Sequence, residues 1–269
     1  MDAPVKLEVK DGIANIILNR AKAYNSFDLE MIRLVSDKLT KAGRTPYVEG
    51  VIVTGNGKAF CAGGDLKWIS EFVNGYGAAF HELAGSFHQA ILEICQMGKP
   101  VVAAINGMAA GGGFSLALAC DFRIMEKSAV LKQGYTSNGL SLDGGGTYTL
   151  PRLIGLARAL EIVSFDEAIS AEQALSWGLV TEVAEDGQAV GRSVGLIKRL
   201  SKMPLSSFAA VKKLVRNSFN TSFESQLEKE RESLSLCGEH PDGREGIQAF
   251  LERRKPSYRK GLKVESGEE

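Results

Sequence analysis

Two glycine-rich segments have the composition needed to present backbone N–H groups to a ligand. One is Cys61-Ala62-Gly63-Gly64 and the other is Gly111-Gly112-Gly113. Each follows an apolar run typical of a buried strand, and the second leads into a run of good helix formers. Because glycine has no Cβ, another group can approach this backbone closely. Two N–H groups from separate loops can stabilise one oxyanion or enolate, although tight turns explain the same glycines.

A third glycine-rich segment carries a carboxylate. Asp143 directly precedes Gly144-Gly145-Gly146. An aspartate in this position is typical of a turn or of an N-cap at the start of a helix. It is also suited to act as a general base or a nucleophile. Tyr135 and Tyr148 flank it and could line a pocket or belong to the core, whereas Asp65 is expected to be a loop or cap residue.

Strands and helices must position these loops, and the hydrophobic pattern predicts both. Val101–Ile105 is an apolar, β-branched run bounded by Pro100 and Asn106-Gly107, which predicts a buried strand. The run from Phe114 to Cys120 predicts a helix after the second glycine segment. Other predicted strands cover residues 5–9, 13–18, 50–55, 122–125, 129–131 and 179–183.

Predicted helices fill most of the remaining chain. One starts near a cap at Ser26, and another, from about Thr147, is interrupted near Pro151. The others cover residues 68–97 with a break at 75–77, 156–165, 170–177 with a capping box, 190–200, 208–219 and 223–236. Strands and helices alternate over about two-thirds of the chain and helices follow, which predicts an α/β core with a helical C-terminal extension.

Composition excludes several classes of protein. The 269 residues are 44% hydrophobic and 24% charged, which is typical of one large globular domain or two small ones. The formal net charge of zero gives no global argument for binding nucleic acid or an anionic membrane. Four cysteines without a CxxC pair predict free thiols in a reducing compartment, and the three histidines lack metal-ligand spacing. The first residues include no long apolar segment, so we expect a cytoplasmic protein.

Six segments, in order along the chain, resemble the enoyl-CoA hydratase/isomerase (crotonase) superfamily. They are NRAKAYNSF at 19–27, FCAGGDL at 60–66, NGMAAGGG at 106–113, GLSLDGGGTYTLPRLIG at 139–155, SAEQALSWGLV at 170–180 and REGIQAFLERRKPSY at 244–258. The resemblance therefore spans nearly the whole chain. It implies the crotonase (ClpP-like) α/β fold, a spiral of ββα units over residues 1–195, with a helical trimerisation region at 196–269.

The resemblance also implies a substrate and a set of contacts. The substrate would be an acyl-CoA thioester, with coenzyme A as part of the substrate and with no separate cofactor or metal. The oxyanion hole would be formed by the N–H groups of Ala62 and Gly112. The residues that correspond to coenzyme A contacts are Lys22, Ala23, Gly64 and Leu66, together with Phe250 and Arg253, which would reach a neighbouring subunit of a homotrimer or homohexamer.

Departures from the family pattern limit the reactions of the family that we expect this chain to catalyse. Hydratases of the family carry two glutamates, where this chain has Ser115 and Tyr135. Asp143 matches the catalytic aspartate of 1,2-epoxyphenylacetyl-CoA isomerase and Δ3,Δ2-enoyl-CoA isomerases, and also the nucleophilic aspartate of 4-chlorobenzoyl-CoA dehalogenase. The dehalogenase histidine is not evident in the sequence, in which His88 is the last histidine before this stretch. We expect Ser115, Tyr135 and Tyr148 to line the substrate pocket.

These features lead to an isomerase hypothesis. The thioester oxygen would bind the two loops, and Asp143 would remove a proton and return it at another carbon. One carboxylate is enough for that shuttle, whereas water addition in the family commonly uses two. The alternatives are a hydratase or an acyl-CoA hydrolase or dehalogenase that uses Asp143, and an acyl-CoA-binding protein without turnover. No nucleic acid or membrane partner is expected.

Overall fold

The computed structural model describes residues 3–258, which form two compact units. The first unit ends at Ile197 and the second begins at Lys198. The strands are β1 (Val5–Lys10), β2 (Ile13–Leu18), β3 (Gly50–Gly55), β4 (Ala59–Cys61), β5 (Val101–Ile105), β6 (Met108–Ala110), β7 (Phe122–Glu126), β8 (Val130–Lys132), β9 (Ile169–Ser170) and β10 (Glu182–Ala184). The predicted α/β core is confirmed, and β4, β6 and β9 are short strands that the pattern did not predict.

Helices separate most of these strands and make up most of the second unit. They are α1 (Leu29–Arg44), α2 (Leu66–Ser70), α3 (Gly75–Gln96), α4 (Gly112–Ala119), α5 (Gly146–Ile154), α6 (Leu156–Phe165), α7 (Ala171–Ser176), α8 (Ala189–Leu200), α9 (Leu205–Asn217), α10 (Phe223–Glu239) and α11 (Pro241–Leu251). The last three helices belong to the second unit. Within residues 3–258, no helix combines the length and the apolar character needed to cross a bilayer.

The described strands form a six-stranded and a four-stranded sheet. The larger sheet has the order β1-β2-β3-β5-β7-β10, in which β1 and β2 pair antiparallel and the other pairs are parallel. The smaller sheet has the order β4-β6-β8-β9. In it, β4 and β6 pair parallel, as do β6 and β8, whereas β8 and β9 pair antiparallel. Since parallel strands end at one edge of a sheet, the loops after β4 and β6 start side by side.

Strand β5 is buried on both faces, which explains its continuous apolar sequence. Val101, Ala103 and Ile105 belong to a core cluster that also contains residues of α1 and α3. Val102 and Ala104 face the opposite way and pack in a second cluster that includes Ile197. All five strand residues have 0% exposure, as expected for a parallel strand covered by helices on both sides. This rigid strand leads directly to β6 and the second glycine segment.

Helix α1 is capped by a different residue from the one expected. Asp28 is the N-cap, and its Oδ1 accepts a hydrogen bond from Met31 N at 2.9 Å. Ser26 lies two residues too early and donates instead to Ala23 O at 2.7 Å. The expected capping box at Ser170 and Gln173 is confirmed.

Two other local expectations are wrong. Helix α5 continues through Pro151 to Ile154 and ends at Gly155, whose φ of 79° stops it. A proline removes one helical hydrogen bond, and here the helix keeps going for one more turn. The N–H groups of Leu179 and Val180 bond to Ala174 O and close α7, so the strand predicted there begins only with β10.

Candidate functional site

The first glycine loop follows β4 and is held against the early part of the chain. Phe27 N donates to Gly63 O at 2.8 Å, and Asp65 N donates to Phe27 O at 2.9 Å. Because successive peptides point in opposite directions in extended backbone, the N–H of Gly64 faces away from Phe27. Gly64 lines a cavity in the first unit, and its N–H has no hydrogen-bond partner among residues 3–258.

Ala62 does not present a free N–H group. Its N–H donates to Tyr24 O at 3.0 Å, inside the protein. The loop that supplies this acceptor is anchored by the buried Asn25, whose side chain donates to Ala59 O at 2.7 Å. The expectation that Ala62 donates to a ligand oxygen is therefore corrected, because its donor is already satisfied. Gly64, expected only to contact coenzyme A, has the unpaired N–H in this loop.

The second glycine loop starts α4. Gly112 is the first residue of the helix, and its N–H, like that of Gly64, has no partner in the described part of the chain. It also lines the cavity. The two loops lie so close together that a Cβ added to Gly63 would be 2.8 Å from Gly112 N. Two donors from separate loops therefore face one cavity, at the positive end of a helix.

The third loop brings Asp143 to the same cavity. Gly144 and Gly145 have φ values of 62° and 75°, and Gly145 is the N-cap of α5, so Asp143 is not a cap. The Asp143 carbonyl is fixed by hydrogen bonds from Ser115 Oγ at 2.6 Å and Gly146 N at 3.1 Å. A Cβ on Gly144 would lie 2.3 Å from the Phe87 ring, which shows how tightly this turn packs. The carboxylate is left available to a ligand in the cavity.

His88 contacts Asp143 and is the site residue that sequence reasoning missed. Its Nε2 lies 2.6 Å from Asp143 Oδ1, and since an ionised carboxylate only accepts, the imidazole donates. The side chains are 50% and 33% exposed, so the pair lies at the solvent side of the cavity. A signal was present: Phe80, Ala84 and His88 follow one another at helical spacing on α3, and the first two line the cavity.

Tyr135 and Ser115 connect to the Asp143 backbone. The Tyr135 hydroxyl lies close to the Ser115 side chain and to the Asp143 backbone. Burial, followed by the nearby Asp143 charge, raises the pKa of Tyr135. Tyr135 therefore stays a neutral phenol at physiological pH.

The cavity opens to solvent and has a mainly apolar wall. Its lining residues are Phe27, Gly64, Phe80, Leu83, Ala84, Phe87, Gly112, Tyr135 and Asp143. Tyr135 lines it as expected. Ser115 is fully buried and contacts the site through its hydrogen bond to the Asp143 carbonyl. Tyr148 packs under the Arg152 guanidinium, which lies 3.4 Å from its ring centroid, and is not among the lining residues.

The remaining predicted contacts lie outside the cavity lining. Lys22 and Ala23 form a 3₁₀ turn, and Leu66 is 59% exposed at the start of α2. Phe250 and Arg253 lie in the second unit, at and just beyond the end of α11. These five assignments as coenzyme A contacts stay predictions. Asp65 is confirmed as a cap, because its Oδ1 accepts from the N–H groups at 67 and 68.

The chain was compared with protein families, with individual sequences and with solved structures, and the results are consistent with one another. The family model described as enoyl-CoA hydratase/isomerase matches residues 8–261. The chain is 32% identical to 1,2-epoxyphenylacetyl-CoA isomerase of Escherichia coli (strain K12), over 93% of this chain and 96% of that protein. It is 36% identical to a probable enoyl-CoA hydratase of Rhodobacter capsulatus, over 94% and 97%. An enoyl-CoA hydratase structure from Polaromonas sp. JS666 superposes with a TM-score of 0.90 at 33% identity, covering 95% of this chain and 99% of that one.

Proposed function

Since the chain belongs to the enoyl-CoA hydratase/isomerase family, we propose that it isomerises an acyl-CoA thioester with Asp143 as the proton shuttle. The observation that carries the proposal is the cavity wall itself. Among the described lining residues, Asp143 is the one acidic side chain, and it shares the wall with two unpaired N–H donors. A single carboxylate suits removal and return of one proton better than addition of water by two acidic groups.

The first step polarises the thioester. Its carbonyl oxygen accepts hydrogen bonds from the N–H groups of Gly64 and Gly112, which replace the predicted pair of Ala62 and Gly112. These hydrogen bonds become stronger as negative charge develops on the oxygen of the enolate. Loss of one donor of this type costs about 10²–10³-fold in kcat. The mainly apolar wall lowers the local dielectric and so increases the strength of these interactions.

The second step moves the proton. Asp143 removes a proton from a carbon made acidic by the polarised thioester, and returns it to another carbon of the resulting dienolate. The double bond migrates, and no atom is gained or lost. His88 Nε2–H binds Oδ1, which leaves Oδ2 to face the substrate. Ser115, whose hydroxyl donates to the Asp143 carbonyl, keeps the Asp143 backbone in place.

The pair of His88 and Asp143 supports a second candidate function, hydrolysis. In this reaction the Asp143 carboxylate attacks an electrophilic carbon of the acyl group and displaces a leaving group. Water, deprotonated by His88, then cleaves the resulting aspartyl ester and regenerates the carboxylate. The close contact of 2.6 Å between the two side chains is the observation that favours it.

One set of reactions separates the two candidates. The enzyme is incubated with 2-enoyl-, 3-enoyl- and halogenated aryl-CoA thioesters in deuterated, ¹⁸O-enriched water. Isomerisation predicts deuterium in a product whose double bond has moved, with no ¹⁸O. Hydrolysis through Asp143 predicts ¹⁸O in the product and, after a single turnover, in the Asp143 carboxylate. Water addition without migration would instead identify a hydratase.

The assembly and the cellular location belong to the same proposal. We propose that the protein is a cytoplasmic homotrimer or homohexamer. In this assembly, Phe250 and Arg253 contact the coenzyme A of a neighbouring subunit. Light scattering measures the mass directly. A monomer at micromolar concentration would contradict this part of the proposal.

A further inference from the structure

A buried aspartate outside the cavity is bonded to the loop that carries Tyr135. Asp166 directly follows α6, has φ of 50° and is 4% exposed. Its Oδ1 accepts from Gly134 N at 2.8 Å, and its Oδ2 accepts from Ser137 Oγ. A buried carboxylate needs partners to offset its lost hydration. Both partners come from the segment 134–137, on either side of Tyr135.

The same loop is fixed at further points. Thr136 Oγ1 donates to Val163 O at 2.7 Å, in the last turn of α6. The side chain of the buried Gln133 accepts from Tyr135 N at 3.0 Å. The 133–138 loop is therefore attached to the C-terminal end of α6, and Asp166 is its most buried attachment there.

The loop reaches both halves of the candidate site. Tyr135 lines the cavity, and its hydroxyl lies close to the Ser115 side chain and the Asp143 backbone. On its other side the segment touches the second glycine loop: Gly111 N donates to Lys132 O at 3.2 Å, and a Cβ on Gly134 would lie 3.2 Å from Gly111 N. A shift of this loop would move the Tyr135 phenol and the backbone beside Gly112 together.

We propose that Asp166 is a positioning residue, which holds the 133–138 loop so that Tyr135 and the Gly112 N–H keep their places relative to Asp143. The inference rests on the proposed function of the cavity. Asp166 does not contact the substrate and acts only through the loop. Misplacement of reacting groups by about 1 Å costs up to about 10²-fold in rate. A loop that is held less firmly should therefore lower kcat.

Two substitutions test the role without straining the backbone. Asp166→Gly removes the carboxylate and accepts the positive φ, whereas Asp166→Asn keeps an acceptor for Gly134 N and tolerates that φ. We expect Asp166→Gly to lower kcat by about 10-fold or more with KM within about 3-fold, and Asp166→Asn to restore most of it. Equal kcat for Asp166→Gly and the wild type would overturn the proposal.

A second readout does not depend on activity. Phenolate absorbance, compared with that of Tyr135→Phe, follows the ionisation of Tyr135. Burial raises the pKa of Tyr135, so loosening the loop in Asp166→Gly should lower that pKa towards the ordinary value of 10.0. An unchanged Tyr135 titration would overturn the proposal even if kcat falls. If no thioester in the panel is turned over, the proposed function fails, and this titration alone decides the role of Asp166.

Folding of the variant is checked separately. Should Asp166→Gly fail to fold, Ser137→Ala removes one of the two bonds at an exposed residue and carries the same prediction with a smaller effect. Ser176→Ala, on an exposed residue of α7, is its matched control and should leave both readouts unchanged. Equal behaviour of Ser137→Ala and this control would contradict the role.

Discussion

Substituting Gly113 with alanine adds a single methyl group and should strongly reduce kcat. Gly113 is the second residue of α4 and lies against β4. A Cβ there would be 2.0 Å from Cys61 O and 2.7 Å from Cys61 C, both backbone atoms. Since Cβ atoms essentially never approach closer than 3.0 Å, the start of α4 must move away from β4 by about 1 Å.

The expected size of the effect follows from what moves. The shift separates the N–H of Gly112, which begins α4, from the loop that carries Gly64. A misplacement of about 1 Å costs about 10²-fold, and loss of one oxyanion donor costs about 10²–10³-fold. We therefore expect kcat to fall by about 10²-fold. Overpacking should also lower the free energy of unfolding by roughly 1–3 kcal/mol.

The assay measures kcat and KM for the thioester that the wild type turns over fastest, together with urea unfolding of each protein. Gly85→Ala is the matched control, because Gly85 is an exposed residue of α3 with no atom within 4 Å of an added Cβ. It should keep the wild-type kcat and gain about 0.5–1 kcal/mol of stability. A folded Gly113→Ala protein with wild-type kcat, or an equal loss in the control, would refute the reasoning.

Three further predictions concern the cavity, a buried thiol and a helix cap. Ala84→Phe places a ring inside the cavity that Ala84 lines, so kcat/KM should fall more for bulky acyl groups than for small ones; a uniform loss across a panel of acyl groups would contradict this. Burial raises the pKa of Cys61 from 9.0 to about 12, which means that the folded state retains a proton that the unfolded chain loses above pH 9. Stability relative to Cys61→Ala should therefore fall as pH rises from 9 to 11, by at most about 1.4 kcal/mol per pH unit, and a constant difference in urea unfolding would argue against it. Ser170→Ala removes the capping box with Gln173 and should cost about 1 kcal/mol in urea unfolding, whereas no change would mean that the cap contributes nothing.

Much of the fold follows from local signals in the sequence. Strand β5 has the predicted bounds because an apolar, β-branched run lies between Pro100 and Asn106-Gly107. The glycine runs lie in loops beside the cavity because only residues without a Cβ allow α4 to approach β4 so closely. These features depend on neighbouring residues, and a single sequence contains them.

The donor in the first loop could not be assigned in this way. Whether Ala62 or Gly64 points its N–H into the cavity depends on pairing with Tyr24 and Phe27, on the far side of α1 in the sequence. A shift of one residue in an extended segment reverses the direction in which the peptide N–H points. The composition of the loop does not determine that register. The glycine pattern and the family resemblance both pointed to this loop, and the structure shows which of its N–H groups is unpaired among the described residues.

The partner of Asp143 was missed for a different reason. His88 lies on α3, far from Asp143 in the sequence, and beside the buried Phe87 rather than on the centre of the apolar face. Helical spacing from Phe80 and Ala84 predicts a shared face, but only once those two residues are known to line the cavity. Pairing between distant elements therefore had to come from the structure.

The central claim is that Asp143 shuttles the proton, and one measurement tests it most directly. Wild type, Asp143→Asn and the surface control Asp37→Asn are compared for deuterium uptake from solvent into a 3-enoyl-CoA thioester, with binding of the thioester measured in parallel. The account predicts that Asp143→Asn still binds the thioester but exchanges it at least about 10²-fold more slowly, while Asp37→Asn matches the wild type. Wild-type exchange and double-bond migration in Asp143→Asn would contradict the account.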